Sequence, residues 1–143
     1  MPVLAWMLVI FAASTDLGSA EHTSRFLIPF LHWLNPHISG AAIMKIQFLI
    51  RKAAHLTEYA VLAMLLLRAV RSGTRAAFAR QAALVLVLTA LYAATDEFHQ
   101  TFTPSRTASV RDVLIDCTGA AAGLAIYWAM RRIGERLPLA ATV

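Results

Sequence analysis

A single cysteine, Cys117, in 143 residues excludes an intrachain disulfide and any cysteine-rich metal centre. Its apolar surroundings make it a small packing residue. Charge is scarce too: 15% of the residues are Asp, Glu, Lys or Arg, against 59% hydrophobic residues and a mean hydropathy of +0.62. So little polar surface cannot cover a water-soluble globule, which places the chain in a bilayer. Acidic residues number eight against thirteen Lys and Arg. In a soluble protein that excess would suggest nucleic acid, but no aromatic residues interleave the basic ones here. Instead Arg68, Arg71, Arg75 and Arg80 share one short connector, and Arg131, Arg132 and Arg136 follow the last apolar run. Basic clusters at membrane edges mark the cytoplasmic side, so both chain ends are expected there, with no nucleic-acid partner. The chain also lacks internal repeats and low-complexity tracts.

What is present is a series of apolar runs, at about 2–15, 48–67, 82–100 and 113–130. Only helices and closed barrels satisfy their own backbone in lipid, so these runs predict an all-α, polytopic transmembrane bundle of about four spanning helices in one domain, 1–143. The first run is short, and Gly18-Ser19-Ala20 resembles a signal cleavage site. It lacks a basic leading region, so it reads as a retained span. Between the first two runs, Pro29, Asn35-Pro36 and Gly40 are mixed with Phe26, Leu27, Ile28, Phe30, Leu31 and Trp33. With His32 and His37 this suits an interfacial helix in the headgroup layer.

Polar residues interrupt the apolar runs at a common depth. At about 1.5 Å per helical residue, Glu58, His55 and Lys52 lie roughly 15, 20 and 24 Å above Arg68. On the same scale Asp96 and Glu97 lie roughly 24 to 26 Å from Arg80, and Asp116 roughly 22 Å from Arg131. Five of the eight acidic residues fall in this outer layer. Charges near hydrocarbon are costly and tend to mark a site.

In RKAAHLTEY, Lys52, His55, Glu58 and Tyr59 recur every three or four residues and share a helical face. A plainer account is a snorkelling Lys52 and a Glu58 paired with His55 for packing. In DEFHQ, Asp96 and Gln100 are one turn apart and face the site, while Glu97 and His99 point elsewhere. Ser109 with Asp112 three residues later is a capping box, which gives Asp112 a structural job as an alternative to catalysis. That helix start, beside Arg106 and Arg111, suits an anionic headgroup. Asp116 is one turn deeper, and Gly119 with Gly123 forms a small-xxx-small face.

The strings RKAAHLTEY, LYAATDEFHQTFTPSRTASVRD and DCTGAAAG resemble the VanZ-like family of small membrane proteins. Lys52, His55, Glu58, Tyr59, Asp96, Glu97, Gln100, Pro104, Arg106, Asp112, Asp116 and Gly119 match its pattern in order, and Phe11 and Ser14 resemble its first-span motif. Ser105 replaces a common Gly, and Asp116 stands where Asn is frequent. The resemblance implies a bacterial inner-membrane protein of four to five helices, from a family named for a role in resistance to the glycopeptide teicoplanin. It implies no reaction.

The residues themselves leave several functions open. In one, the chain acts on an anionic envelope lipid or lipid-linked substrate at the outer leaflet. Lys52, Tyr59, Gln100, Arg106, Ser109 and Asp112 would then bind substrate, and His55, Glu58, Asp96, Glu97 and Asp116 would carry the chemistry, with His55 as base and Glu58 as its orienting partner. A divalent cation held by His55, Glu58, Asp96 and Asp116 is a candidate cofactor. Alternatively the protein binds lipid or antibiotic without chemistry, or is a structural subunit of a membrane complex.

Overall fold

A computed structural model describes residues 2–15, 20–73, 77–103 and 109–136. Five helices appear among them: α1 (Pro2–Ala13), α2 (Ala20–Leu34), α3 (Gly40–Gly73), α4 (Phe78–Gln100) and α5 (Val110–Arg136), with no strand among the described residues. The all-helical bundle expected from the sequence is present. Three helices, α3 to α5, are long and apolar enough to cross a membrane.

The first apolar run differs from expectation. Its helix has twelve residues, about 18 Å of rise, against a hydrocarbon core of about 30 Å. α1 is therefore a short apolar helix laid against the bundle. Ile10 is buried with Tyr59, Leu62 and Ala93, and Tyr92 Oη donates to the Met7 carbonyl at 2.6 Å. The second run starts earlier than its hydropathy suggested, because α3 takes in 40–47 as well. The expected interfacial helix is α2, which continues through Pro29. Asn35 and Ser39 divide it from α3: Asn35 Oδ1 accepts from the His37 amide, and Ser39 Oγ accepts from the Ala42 amide as an α3 N-cap.

α3 is the central helix, and α5 runs beside it in the same direction. The register rises on both helices together, from Lys52 with Asp112, through His55 with Asp116, to Leu56 facing Gly119 and Ala60 facing Gly123. α4 is antiparallel to both: Ala93 packs by Tyr59 and Val85 by Ala63 and Leu67. Toward the arginine-rich connector the bundle holds an apolar cluster of Ala63, Leu67, Val85, Ala120 and Leu124, with Gln81 and Thr89 also buried on α4. Large apolar side chains such as Leu84, Val87, Leu91, Leu114 and Ile126 face outward, as a lipid-facing surface requires.

A Cβ built on Gly119 would collide with the Leu56 backbone, and one on Gly123 with the Ala60 backbone; one on Gly134 meets open space. Gly119→Ala and Gly123→Ala should each lower stability by about 1–3 kcal/mol through overpacking. Gly134→Ala should be neutral or gain up to about 1 kcal/mol from helix propensity. Thermal unfolding in detergent checks this, and wild-type stability in Gly119→Ala would contradict the close contact.

Candidate functional site

α3 presents Lys52, His55 and Tyr59 to its neighbours. Lys52 Nζ is paired with Asp112 Oδ1 and lies 5.3 Å from the centre of the Phe48 ring, so its charge is already engaged. His55 Nδ1 lies 3.1 Å from Asp116 Oδ1, and both residues are buried. Asp116, rather than Glu58, is thus the partner that fixes the imidazole. Glu58 is rotated about 60° from His55 around the helix, and both residues line the same cavity. Tyr59 is fully buried, 6.2 Å from Tyr92 between ring centres.

The end of α4 contributes Asp96, Glu97 and Gln100, all buried. Asp96 Oδ2 accepts from Ser14 Oγ at 2.6 Å and from Gln100 Nε2 at 3.1 Å. Ser14 follows α1, and sequence spacing alone had offered no reason to bring it to Asp96. Glu97 does not point elsewhere: its Oε2 accepts from the Ser109 amide at 2.7 Å, at the start of α5. The capping box is consequently divided between helices. Ser109 Oγ accepts from the Arg111 amide at 3.2 Å, and the carboxylate reaching the cap residue's own amide comes from Glu97. Asp112 is thereby available to Lys52. His99 stacks on Phe11 with 4.4 Å between ring centres, away from this network. Pro104 and Arg106 lie outside the described residues, so the proposed anion-binding loop is not part of this geometry.

A cavity of about 400 Å³ adjoins the polar layer between the end of α1, α2 and the N-terminal half of α3. Its apolar wall includes Ala13, Met44, Phe48, Ile50 and Ala54; its polar groups are Ser14, Thr23, Gln47, Arg51, His55 and Glu58. Sequence reasoning named Lys52 and Arg106 as the cations for a ligand, and Arg106 lies outside the described residues. The cation that lines this cavity is Arg51, the neighbour of Lys52. The signal was the spacing of Gln47, Arg51, His55 and Glu58, one turn apart along α3, obscured by the apolar residues around it.

Tyr59 Oη, Asp96 Oδ1, Glu97 Oε1 and Asp116 Oδ2 are buried without a hydrogen-bond partner among the described residues. Buried polar atoms are normally paired, so this layer retains bonding capacity. The proposed four-ligand cation set is not assembled, however. Among the described residues no three His, Cys, Asp or Glu side chains gather in a way that could hold a metal ion. What the arrangement offers is acid–base chemistry. With Nδ1 committed to Asp116, Nε2 is the imidazole nitrogen left for a molecule in the cavity.

Lys52 and Asp112 have side-chain exposures of 15% and 13%. Removing one charge strands the other, so Lys52→Met or Asp112→Leu should each cost on the order of 3 kcal/mol, at the low end for a buried pair because some solvent contact persists. The double variant should recover most of that loss in thermal unfolding; losses that simply add would contradict the pairing. Glu97→Ala should cost about 1–2 kcal/mol as a lost cap, and Glu97→Gln, which keeps an acceptor, less. The same assay separates them.

No curated protein and no solved structure matches the chain. A family model described as VanZ/LLP1 does, over residues 1–131, which takes in Lys52, His55, Asp96, Glu97, Asp112 and Asp116 together with the short apolar helix and Ser14, the partner of Asp96 that follows it. With most of its length inside that match, and with three helices suited to crossing a bilayer, the chain belongs to the VanZ/LLP1 family of helical membrane proteins.

Proposed function

We propose that the protein binds an anionic envelope lipid or lipid-linked substrate in the cavity beside α3 and performs acid–base chemistry on its headgroup. One observation carries this reading: His55 both lines the cavity and is held from behind by Asp116. Asp116 orients the ring through Nδ1 and stabilises its protonated form, and Nε2 takes a proton from a headgroup hydroxyl or water. Such a base contributes typically 10²–10⁴-fold to a rate. Arg51 anchors the anion, with Gln47, Thr23 and Ser14 as further polar contacts. Met44, Phe48 and Ile50 receive the first part of the tail. A cavity of this volume fits a headgroup and a short stretch of chain, with the remaining tail left in the bilayer.

The proposed setting is the bacterial inner membrane. The arginines around 68–80 and 131–136 would be cytoplasmic, as would the C-terminal end of α5, and the cavity would face the extracytoplasmic leaflet. Tolerance to teicoplanin is the cellular phenotype this reading expects.

Native mass spectrometry from phosphatidylglycerol nanodiscs tests the binding half. The wild type should retain lipid, and Arg51→Ala should retain at least about tenfold less, as expected for losing a hydrogen bond to a charged group. His55→Gln should retain lipid but abolish the tolerance of cells expressing the protein. Full tolerance with His55→Gln would reduce the site to binding without chemistry, and equal lipid retention by Arg51→Ala would remove Arg51 as the anchor.

A further inference from the structure

Hydroxyl groups on helices commonly turn back to a backbone carbonyl three or four residues earlier, as those of Thr57, Thr95, Thr101 and Thr118 do here. Ser14 is spent differently. Its amide donates to the Ile10 carbonyl at 2.8 Å, but its Oγ crosses to α4 and donates to Asp96 Oδ2 at 2.6 Å. Gln100, one turn further along α4, donates to the same oxygen at 3.1 Å and holds the carboxylate in place. Ser14 and Asp96 are each 3% exposed, so water does not compete for their contact. A hydroxyl within bonding reach of a base that a third group orients is the arrangement by which proteins activate a nucleophile.

A tie between α1 and α4 would need this hydrogen bond but no place on a cavity wall. Ser14 has both, because it lines the cavity together with Arg51 and His55. With its one proton directed to Asp96, Oγ keeps its lone pairs for an occupant. Arg51 is less deeply buried than Ser14 or His55, and its guanidinium matches a phosphate. A phosphate on Arg51 puts an electrophilic phosphorus in the same cavity as a hydroxyl backed by one carboxylate and an imidazole backed by another.

We propose that Ser14 is the nucleophile of a two-step transfer, attacking the phosphorus of a lipid phosphodiester held by Arg51. This rests on reading the cavity as an anionic-lipid site. In the first step the Ser14 Oγ–P bond forms, the bond from phosphorus to the headgroup alcohol breaks, the Ser14 proton passes to Asp96, and the His55 imidazolium protonates the departing oxygen. In the second, water attacks the phosphorus and gives its proton to His55, the Oγ–P bond breaks, and Asp96 returns the proton to Ser14. A phosphomonoester lipid and a free headgroup alcohol result.

A long-chain alkyl fluorophosphonate tests the first step, because its phosphorus is captured by an activated serine with loss of fluoride. With protein in phosphatidylglycerol nanodiscs, intact mass and fragmentation should show one adduct, on Ser14. Ser14→Ala should form none, and Asp96→Asn, which still accepts the hydrogen bond but not the proton, should react at least about 100-fold more slowly. Both variants should still retain phosphatidylglycerol, since Arg51 is unchanged. Retained lipid without an adduct in the wild type overturns the serine step and leaves the lipid site standing, as does an adduct in Ser14→Ala or a wild-type rate in Asp96→Asn. Failure of the wild type to retain phosphatidylglycerol overturns the lipid reading, and the serine step with it.

Discussion

The close approach of α3 and α5 governs the rest of the molecule. Lipid chains are as apolar as the side chains they contact, so helices in a bilayer gain little from burying hydrocarbon and depend on tight packing and polar pairing. Gly119 and Gly123 let the α5 backbone lie against Leu56 and Ala60, and a Cβ at either position would force the helices apart. Just beyond the glycines, the same proximity brings Lys52 to Asp112 and His55 to Asp116. Short side chains such as Asp span little distance, so the two polar contacts depend on the two glycine contacts.

The polar layer divides its work between holding the bundle and meeting the cavity. Lys52 with Asp112, and Glu97 with the Ser109 amide, tie α3 and α4 to the start of α5. Ser14 and His55 stand at the boundary: each lines the cavity and each reaches a buried carboxylate, Asp96 and Asp116 respectively. An event in the cavity is therefore one hydrogen bond from the interior network.

The helical class, the polar layer and the membership of His55, Asp96 and Asp116 in it were legible because intramembrane charge is conspicuous and helical rise converts sequence position into depth. Partnerships were less legible. Depth does not give rotation between helices, so His55 was matched to Glu58, its neighbour in sequence, when Asp116 from α5 holds it. The Ser109-x-x-Asp112 spacing suggested a local cap, but a tertiary carboxylate, Glu97, outcompeted the local one. Arg51 was passed over beside Lys52 because one sequence cannot say which of two adjacent cations faces a cavity. The first apolar run was already short in the sequence, and its helix ends at Ala13.

The parallel pairing of α3 with α5 has a consequence for how the protein is made. Lys52 and Asp112 are 60 residues apart, and His55 and Asp116 are 61. At ribosomal speeds of about 5–20 residues per second, α3 leaves the ribosome about 3–12 s before its partners are synthesised. During that interval the insertion machinery must accommodate a helix whose lysine and histidine still lack Asp112 and Asp116. A chain that stops short of α5 never acquires them, which gives membrane quality control a chemical mark of incomplete synthesis.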